Sequence, residues 1–262
     1  MGKQVDVVTW HQGRCLETKA YLAREIAFTV YYNEKEIVTL LCSPQELDEL
    51  AIGFLVGEGL LKEACEIKNL IVDAERGLAW VFAEPDRPVT KEAIGRRFVT
   101  SGCGSNAGYY SLADAVACAK IETDCVLFPE DINDLMARMQ DLAQQYRITR
   151  GIHGAGLFSP ASPDQVLIFR EDIGRHNAVD KIMGYCFLNG IKPEDKVLAV
   201  TGRISSEIIL KAARMAIPVV VSRSVPTDMA AITGEELGIT IIGSARAGKF
   251  NVYSHRKRVA LP

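Results

Sequence analysis

The chain has 262 residues, of which 48% are hydrophobic and 24% charged, and its net charge is −3. These values fit an ordinary globular protein of one large or two modest domains. They exclude a global electrostatic pull toward nucleic acid or anionic membrane.

Residues 25–31 alternate apolar and polar in a strand pattern, Asn33-Glu34-Lys35 turns the chain, and residues 37–41 read as the returning strand. Ser43-Pro44-Gln45-Glu46 then reads as a capping box opening a helix that ends near Gly57, with Ser43 as N-cap. Leu47, Leu50, Ala51, Phe54 and Leu55 give it one apolar face. Two more strands are expected at 67–73 and 78–82, completing a small α+β unit. Residues 100–110, rich in Gly and Ser, have loop composition. A helix is expected over 130–146. Strand and helix then alternate: strand 166–169, helix 178–188, strand 197–201, helix 206–216, strand 218–222, helix 228–237, strand 239–242. Gly190 and Gly238 fall where helix C-terminal caps belong. The alternation predicts an α/β unit with a largely parallel sheet. The domains are accordingly expected at 1–115 and 116–262. The run His255-Arg256-Lys257-Arg258 is expected to be a solvated tail.

Residues 1–6 lack an apolar h-region, and no later apolar run is long enough to span a bilayer, so a cytoplasmic protein is expected. Seven cysteines at irregular spacings, with no C-x-x-C pair, argue against a zinc ribbon or a disulfide framework. Six of them, Cys15, Cys42, Cys65, Cys118, Cys125 and Cys186, lie in apolar or helical contexts and are expected to be structural. Cys103 alone has small, flexible neighbours on both sides, and Arg96 and Arg97 can lower its pKa if the loop folds back.

The most informative stretch is Arg170-Glu171-Asp172-Ile173-Gly174-Arg175-His176-Asn177. It is strongly polar, yet it lies between the apolar Val166-Leu167-Ile168-Phe169 and a helix-like run. That places it on a strand-to-helix turn at the mouth of a core. Three further strand ends carry polar clusters. Gly202, Arg203 and Ser205 follow the second strand, Ser224 and Thr227 the third, and Ser244-Ala245-Arg246-Ala247-Gly248-Lys249 the fourth. In a parallel sheet these gather along one edge, where α/β proteins bind ligands. Arg175, Arg203, Arg246 and Lys249 would make that edge cationic and suited to phosphate oxygens. The carboxylates of Glu171 and Asp172 would accept hydrogen bonds from a nucleobase or pair with those arginines. His153, flanked by Gly151, Gly154 and Gly156, is either a ligand contact or a core histidine bonded to a carbonyl. His176 at the presumed helix start is a ligand donor or a brace. Neither G-x-G-x-x-G nor Walker A is present.

Residues 44–60, the glycines around His153, residues 170–184, residues 201–211, residues 224–227 and residues 239–253 together resemble one family, the formate dehydrogenase accessory sulfurtransferases (FdhD/NarQ). The resemblance implies a larger domain of the cytidine-deaminase-like three-layer α-β-α fold and a homodimer. It implies a sulfurtransferase that carries a persulfide on Cys103. The sulfur would come from a cysteine desulfurase and pass to the molybdenum or tungsten bis(molybdopterin guanine dinucleotide) cofactor, bound as a client for the formate dehydrogenase catalytic subunit. It also implies that the segment from Ser244 to Lys249 helps to hold that cofactor. The chain departs from the family pattern twice. The usual C-x-x-C reads Cys103-Gly104-Ser105-Asn106, which leaves no resolving thiol, and Ser244 stands where an aromatic residue is usual. A single thiolate can still carry an outer sulfur. Two other readings stand beside this one: a cofactor carrier without sulfur chemistry, and a zinc hydrolase. The second would need the P-C-x-x-C element that the chain lacks.

Overall fold

A computed structural model gives the architecture, and it describes residues 2–87 and 119–261. The chain opens with an antiparallel ribbon of β1 (Lys3–His11) and β2 (Arg14–Leu22). The sequence reading did not anticipate it, and both strands are largely exposed. A four-stranded sheet follows, ordered β4-β3-β6-β5, from β3 (Ile26–Tyr32), β4 (Lys35–Cys42), β5 (Ile67–Asp73) and β6 (Leu78–Ala83). Helix α1 (Leu47–Gly57) packs on it over a core that includes Phe28, Tyr32, Leu50 and Leu55. The expected capping box does not form. The helix begins at Leu47, after Glu46 in the left-handed region at φ 46. The Ser43 hydroxyl instead accepts from the Ile173 N–H at 3.1 Å, tying this unit to the next.

The second sheet has six strands, ordered β12-β11-β10-β9-β7-β8. They are β7 (His153–Ser159), β8 (Ser162–Asp172), β9 (Val197–Val200), β10 (Val219–Ser222), β11 (Thr240–Arg246) and β12 (Lys249–Ser254). Strands β9 and β10 are buried along their whole length, so they read as continuous apolar runs rather than alternations. The expectation of a largely parallel sheet needs correction. Only β9–β10 and β10–β11 pair in parallel, whereas β7–β8, β7–β9 and β11–β12 are antiparallel. The reason is two hairpin strands, β7 and β12, absent from the expected element list. Because β7 runs against both neighbours, β8, β9, β10 and β11 still share one direction. Their C-terminal ends therefore meet at one edge.

Helices α4 (Arg175–Leu188), α5 (Ser206–Arg214) and α6 (Asp228–Leu237) cover one face of this sheet. Helix α2 (Pro129–Leu142) covers the other. The single helix expected over 130–146 is broken at Ala143, and α3 (Gln144–Thr149) follows. Gly190 and Gly238 do take the left-handed conformation, at φ 63 and 74.

The two units meet where α1 crosses α4. A Cβ on Gly53 would lie 1.7 Å from the Asp180 carbonyl oxygen, and one on Gly184 would lie 1.9 Å from that of Glu49. Both glycines are required for this backbone-to-backbone approach. Arg170 closes the same interface with a forked pair to Glu49, both contacts at 2.6 Å. The C-terminal basic run is not a free tail. Arg258 is 3% exposed and donates to the carbonyls of Gly238 and Ile121. Among the described residues no helix is long and apolar enough to cross a membrane. The expected domain boundary at 115, the Cys103 loop, Cys118, Arg96 and Arg97 lie outside the described residues.

Candidate functional site

The edge holding the ends of β8, β9, β10 and β11 also holds the starts of β7 and β12, through the pairs His153↔Asp172 and Arg246↔Lys249. Gly202, just past β9, sits at its centre. A Cβ there would fall 3.2 Å from both the Arg175 side chain and His153 Nδ1, so these two side chains lie against its backbone. The Thr201 hydroxyl accepts from the Gly154 N–H at 3.0 Å and lies 3.4 Å from His153 Nδ1. Burial first, then the Arg175 charge, lowers the pKa of His153, which keeps its ring neutral.

The β8 corner is occupied by its own backbone. Asp172 is fully buried and accepts from the N–H groups of Ser43 and Gly174 and from the Asn177 amide, at 2.8–3.0 Å. Its carboxylate pairs at 2.9 Å with Lys181, whose side chain is also fully buried. The Asn177 amide donates a second bond to the Leu41 carbonyl. Glu171 accepts from the N–H groups of Gln145 and Tyr146, capping α3. The polar atoms of Glu171, Asp172 and Asn177 that make these contacts fasten α3, α4 and the β4–α1 connection.

Arg175 and His176 open α4. His176 Nε2 lies 3.0 Å from the Ser205 hydroxyl and 3.1 Å from Glu207 Oε2. Burial, reinforced by Lys211 and Arg175, pushes the His176 pKa down to about 3. Burial raises that of Glu207. Deeper in, Lys211 donates to Asp180, whose pKa burial lifts to about 6 against the opposing pull of that lysine. Ser205 and His176 thus form a brace between α4 and the N-terminus of α5. Sequence reasoning did not single out Asp180, Lys181 or Lys211, which the fold buries inside helices.

The ends of β9, β10 and β11 are more open. Arg203 is exposed. The Ser222 hydroxyl donates to the Gly202 carbonyl at 2.6 Å and accepts from the Ser224 N–H at 3.0 Å, locking the β9 and β10 ends together. The Ser224 carbonyl accepts from the Ser244 N–H at 2.7 Å. Thr227 is the N-cap of α6, its hydroxyl accepting from Ala230. Ser244 sits at a bulge with φ 56. Beyond it Arg246, Ala247, Gly248 and Lys249 form an exposed hairpin tip, with φ 52 at Ala247 and 73 at Gly248, the signature of a tight two-residue turn. Ala245 is buried beneath it. The structure thus brings His153, Arg175, Gly202, Arg203 and Ser224 to one edge, with Arg246 and Lys249 overhanging it.

A cleft of about 400 Å³ opens beside this edge, between α2, α3 and the sheet, with His153, Thr201, Arg150 and Arg223 in its lining. The sequence reading did not single out Arg150 or Arg223. Among the described cysteines, burial pushes the thiol pKa of Cys42 to about 12 and of Cys186 to about 11, and raises that of Cys125. Cys15 and Cys65, expected to be structural, are instead exposed.

Fold and edge together define a three-layer α/β protein that presents a polar, arginine-bearing sheet edge beside a cleft, joined through α1 to a smaller α+β unit. Residues 23–260 match the model of the FdhD/NarQ family, and the chain belongs to that family. It is 36% identical over 259 residues to the sulfur carrier protein FdhD of Geobacillus kaustophilus, covering 99% of this chain and 97% of the relative. It is 41% identical over 239 residues to the protein of the same name from Bacillus pumilus, covering 91% and 90%. Its fold matches a crystal structure from Desulfotalea psychrophila, described as a formate dehydrogenase accessory protein, with a TM-score of 0.80 and 26% identity over 98% of this chain and 99% of that one.

Proposed function

We propose that the chain is a sulfur carrier serving formate dehydrogenase. Cys103 takes the outer sulfur of a cysteine desulfurase persulfide: its thiolate attacks that sulfur, a new S–S bond forms, and the desulfurase thiolate leaves. Transfer of the outer sulfur onward returns the Cys103 thiolate. The acceptor in this reading is the molybdenum or tungsten bis(molybdopterin guanine dinucleotide) cofactor, held as cargo at the edge of Arg175, Arg203, Arg246 and Lys249. The same reading carries a homodimer, a cytidine-deaminase-like larger unit and delivery to the formate dehydrogenase catalytic subunit.

The observation that supports it best is whole-length similarity to proteins named sulfur carriers. The edge adds chemical support. Arginine forks and glycine-lined backbone suit phosphate oxygens, and four codirectional strand ends hold them on rigid supports. Burial holds the thiols of Cys42, Cys125 and Cys186 protonated, which disfavours these three as nucleophiles.

The test is mass spectrometry after incubation with a cysteine desulfurase and cysteine. The parent chain is expected to gain one labile sulfur on Cys103, and Cys103→Ala to gain none. Labile sulfur on Cys103→Ala at the parent level would refute the assignment. Full formate dehydrogenase maturation by Cys103→Ala would establish instead a carrier without sulfur chemistry. Asn106 in place of a second cysteine is the feature that keeps that outcome in view.

A further inference from the structure

The β1–β2 ribbon stands apart from the rest of the fold. It is a sheet of two strands only, and none of its residues enters the three core clusters. The family model that the chain matches begins at residue 23, just after the ribbon ends. Its root touches the body: β2 meets α3, and a Cβ on Gly2 would lie 2.9 Å from the Thr149 side chain. The far end is bare on both faces. Val8, Trp10 and Leu16 are 68%, 70% and 54% exposed. The register sets Val8, Trp10 and Tyr21 on one face and Leu16 and Leu22 on the other. A ribbon without a third strand is marginal in water, so nine residue pairs held in register call for a surface that covers the arm. The body carries a matching surface by the ribbon's root: Leu142, Tyr146 and Ile148 are exposed apolar residues at the end of α2 and on α3.

We propose that the ribbon is an arm that pairs two copies of this chain about a two-fold axis. The Val8, Trp10 and Leu16 end of each arm lies on the Leu142, Tyr146 and Ile148 surface of the other copy. Area decides for a second copy over an unrelated protein. Nine residues at about 3.4 Å each, on two strands each about 4.8 Å wide, give one ribbon face of about 300 Å². Laid once on an unrelated partner, such a face buries about 600 Å² counting both sides, below the ~1,200 Å² at which stable, specific interfaces begin. Reciprocal arms use the same contact twice and reach that area. The proposal rests on the homodimer of the sulfur-carrier reading and names the surface that makes it.

The test is sedimentation velocity of the full chain over a dilution series. The parent is expected to sediment as a dimer. Trp10→Glu and Ile148→Glu, one on the arm and one on the receiving surface, are each expected to weaken pairing at least about a hundredfold, because a two-fold axis places every changed residue in the interface twice. Both residues are exposed, so the urea midpoints of the diluted monomers should match the parent's. Ile71→Glu, a change at an exposed position on β5, should leave the dimer intact. Trp10 also reports directly. With Trp80→Phe it is the only tryptophan of the chain, and its emission should move to the blue as concentration rises. Dimers of parent strength in the Trp10→Glu/Ile148→Glu double variant would overturn the arm and leave the homodimer standing. A parent that stays monomeric at every concentration would overturn both, while labile sulfur on Cys103 still decides the carrier reading.

Discussion

At the end of β8 the chain places Glu171, Asp172 and Asn177; at the ends of β9, β10 and β11 it places Arg203, Arg223 and Arg246. In sequence the two sets look alike, each a polar cluster following an apolar strand. In the structure they part. The β8 set lies where α1, α3 and α4 all converge on one corner. Orphan N–H groups there need acceptors, and a buried lysine needs a counter-charge. At the other ends longer loops and a hairpin tip follow the strands, the backbone groups are met by Ser222 and by neighbouring strands, and Arg203 and Arg246 are left exposed, with Arg223 half-buried. A polar residue at a strand end is available to a ligand only when the fold around it has no orphan groups to satisfy.

The sharpest way to break this contrast is Asp172→Ala. It leaves the Lys181 ammonium, fully buried, without its 2.9 Å partner, and it removes the acceptor shared by Ser43, Gly174 and Asn177. A loss of about 3–5 kcal/mol is expected, the size measured when one member of a buried pair is removed. Urea denaturation at pH 7 reads it directly. A loss below about 1 kcal/mol would mean that the corner does not hold the two units together.

A second test uses acid. His176 keeps its ring neutral in the fold, with a pKa of about 3 against an ordinary value of 6.5. Its contribution to stability is complete above pH 6.5 and is lost as pH falls from there toward 3. Asp180, lifted to about 6 from 3.8, works in the opposite sense: as pH falls from 6 toward 3.8 it returns stability. The parent is therefore expected to lose stability in acid less steeply than His176 alone dictates. His176→Gln removes the larger, destabilising component. At about 1.4 kcal/mol per pH unit, it should lose about 2–3 kcal/mol less than the parent between pH 7 and pH 4.5. Equal losses in the two proteins would show that the His176 ring does not resist protonation in the fold.

Much of this architecture was legible in the sequence, and the parts that were not share physical causes. The apolar runs of β9 and β10, the helix at 228–237 and the caps at Gly190 and Gly238 follow from local rules, and all are present. The capping box at Ser43 was misread because a hydroxyl that can cap its own helix can equally accept from a distant N–H. Ile173, 130 residues away, takes it. Strand β7 was missed because Gly151, Gly154 and Gly156 look like a loop, whereas Phe169 and Met139 crowd the space where side chains at Gly154 and Gly156 would stand. The direction of the strand ends, and hence the edge, was anticipated. Which polar groups on that edge were already engaged depended on tertiary partners that no local pattern records.

The smallest expected effect on stability is also the one that separates the two regions most cleanly. Arg203→Ala and Arg246→Ala remove exposed side chains from a loop and from a hairpin tip, where no ion pair is present among the described residues. Each should shift stability by no more than about 0.5 kcal/mol. If the cationic edge carries phosphate, the same changes should weaken GDP binding several-fold, and more so at low salt, where surface charge is least screened. Asp172→Ala predicts the reverse pattern: a large stability loss and, at temperatures where the variant remains folded, nearly unchanged GDP affinity. Measuring both quantities on both sets of variants turns the contrast into a crossed comparison. Arg203→Ala and Arg246→Ala would have to destabilise the fold as Asp172→Ala does for the distinction between engaged and available strand ends to fail.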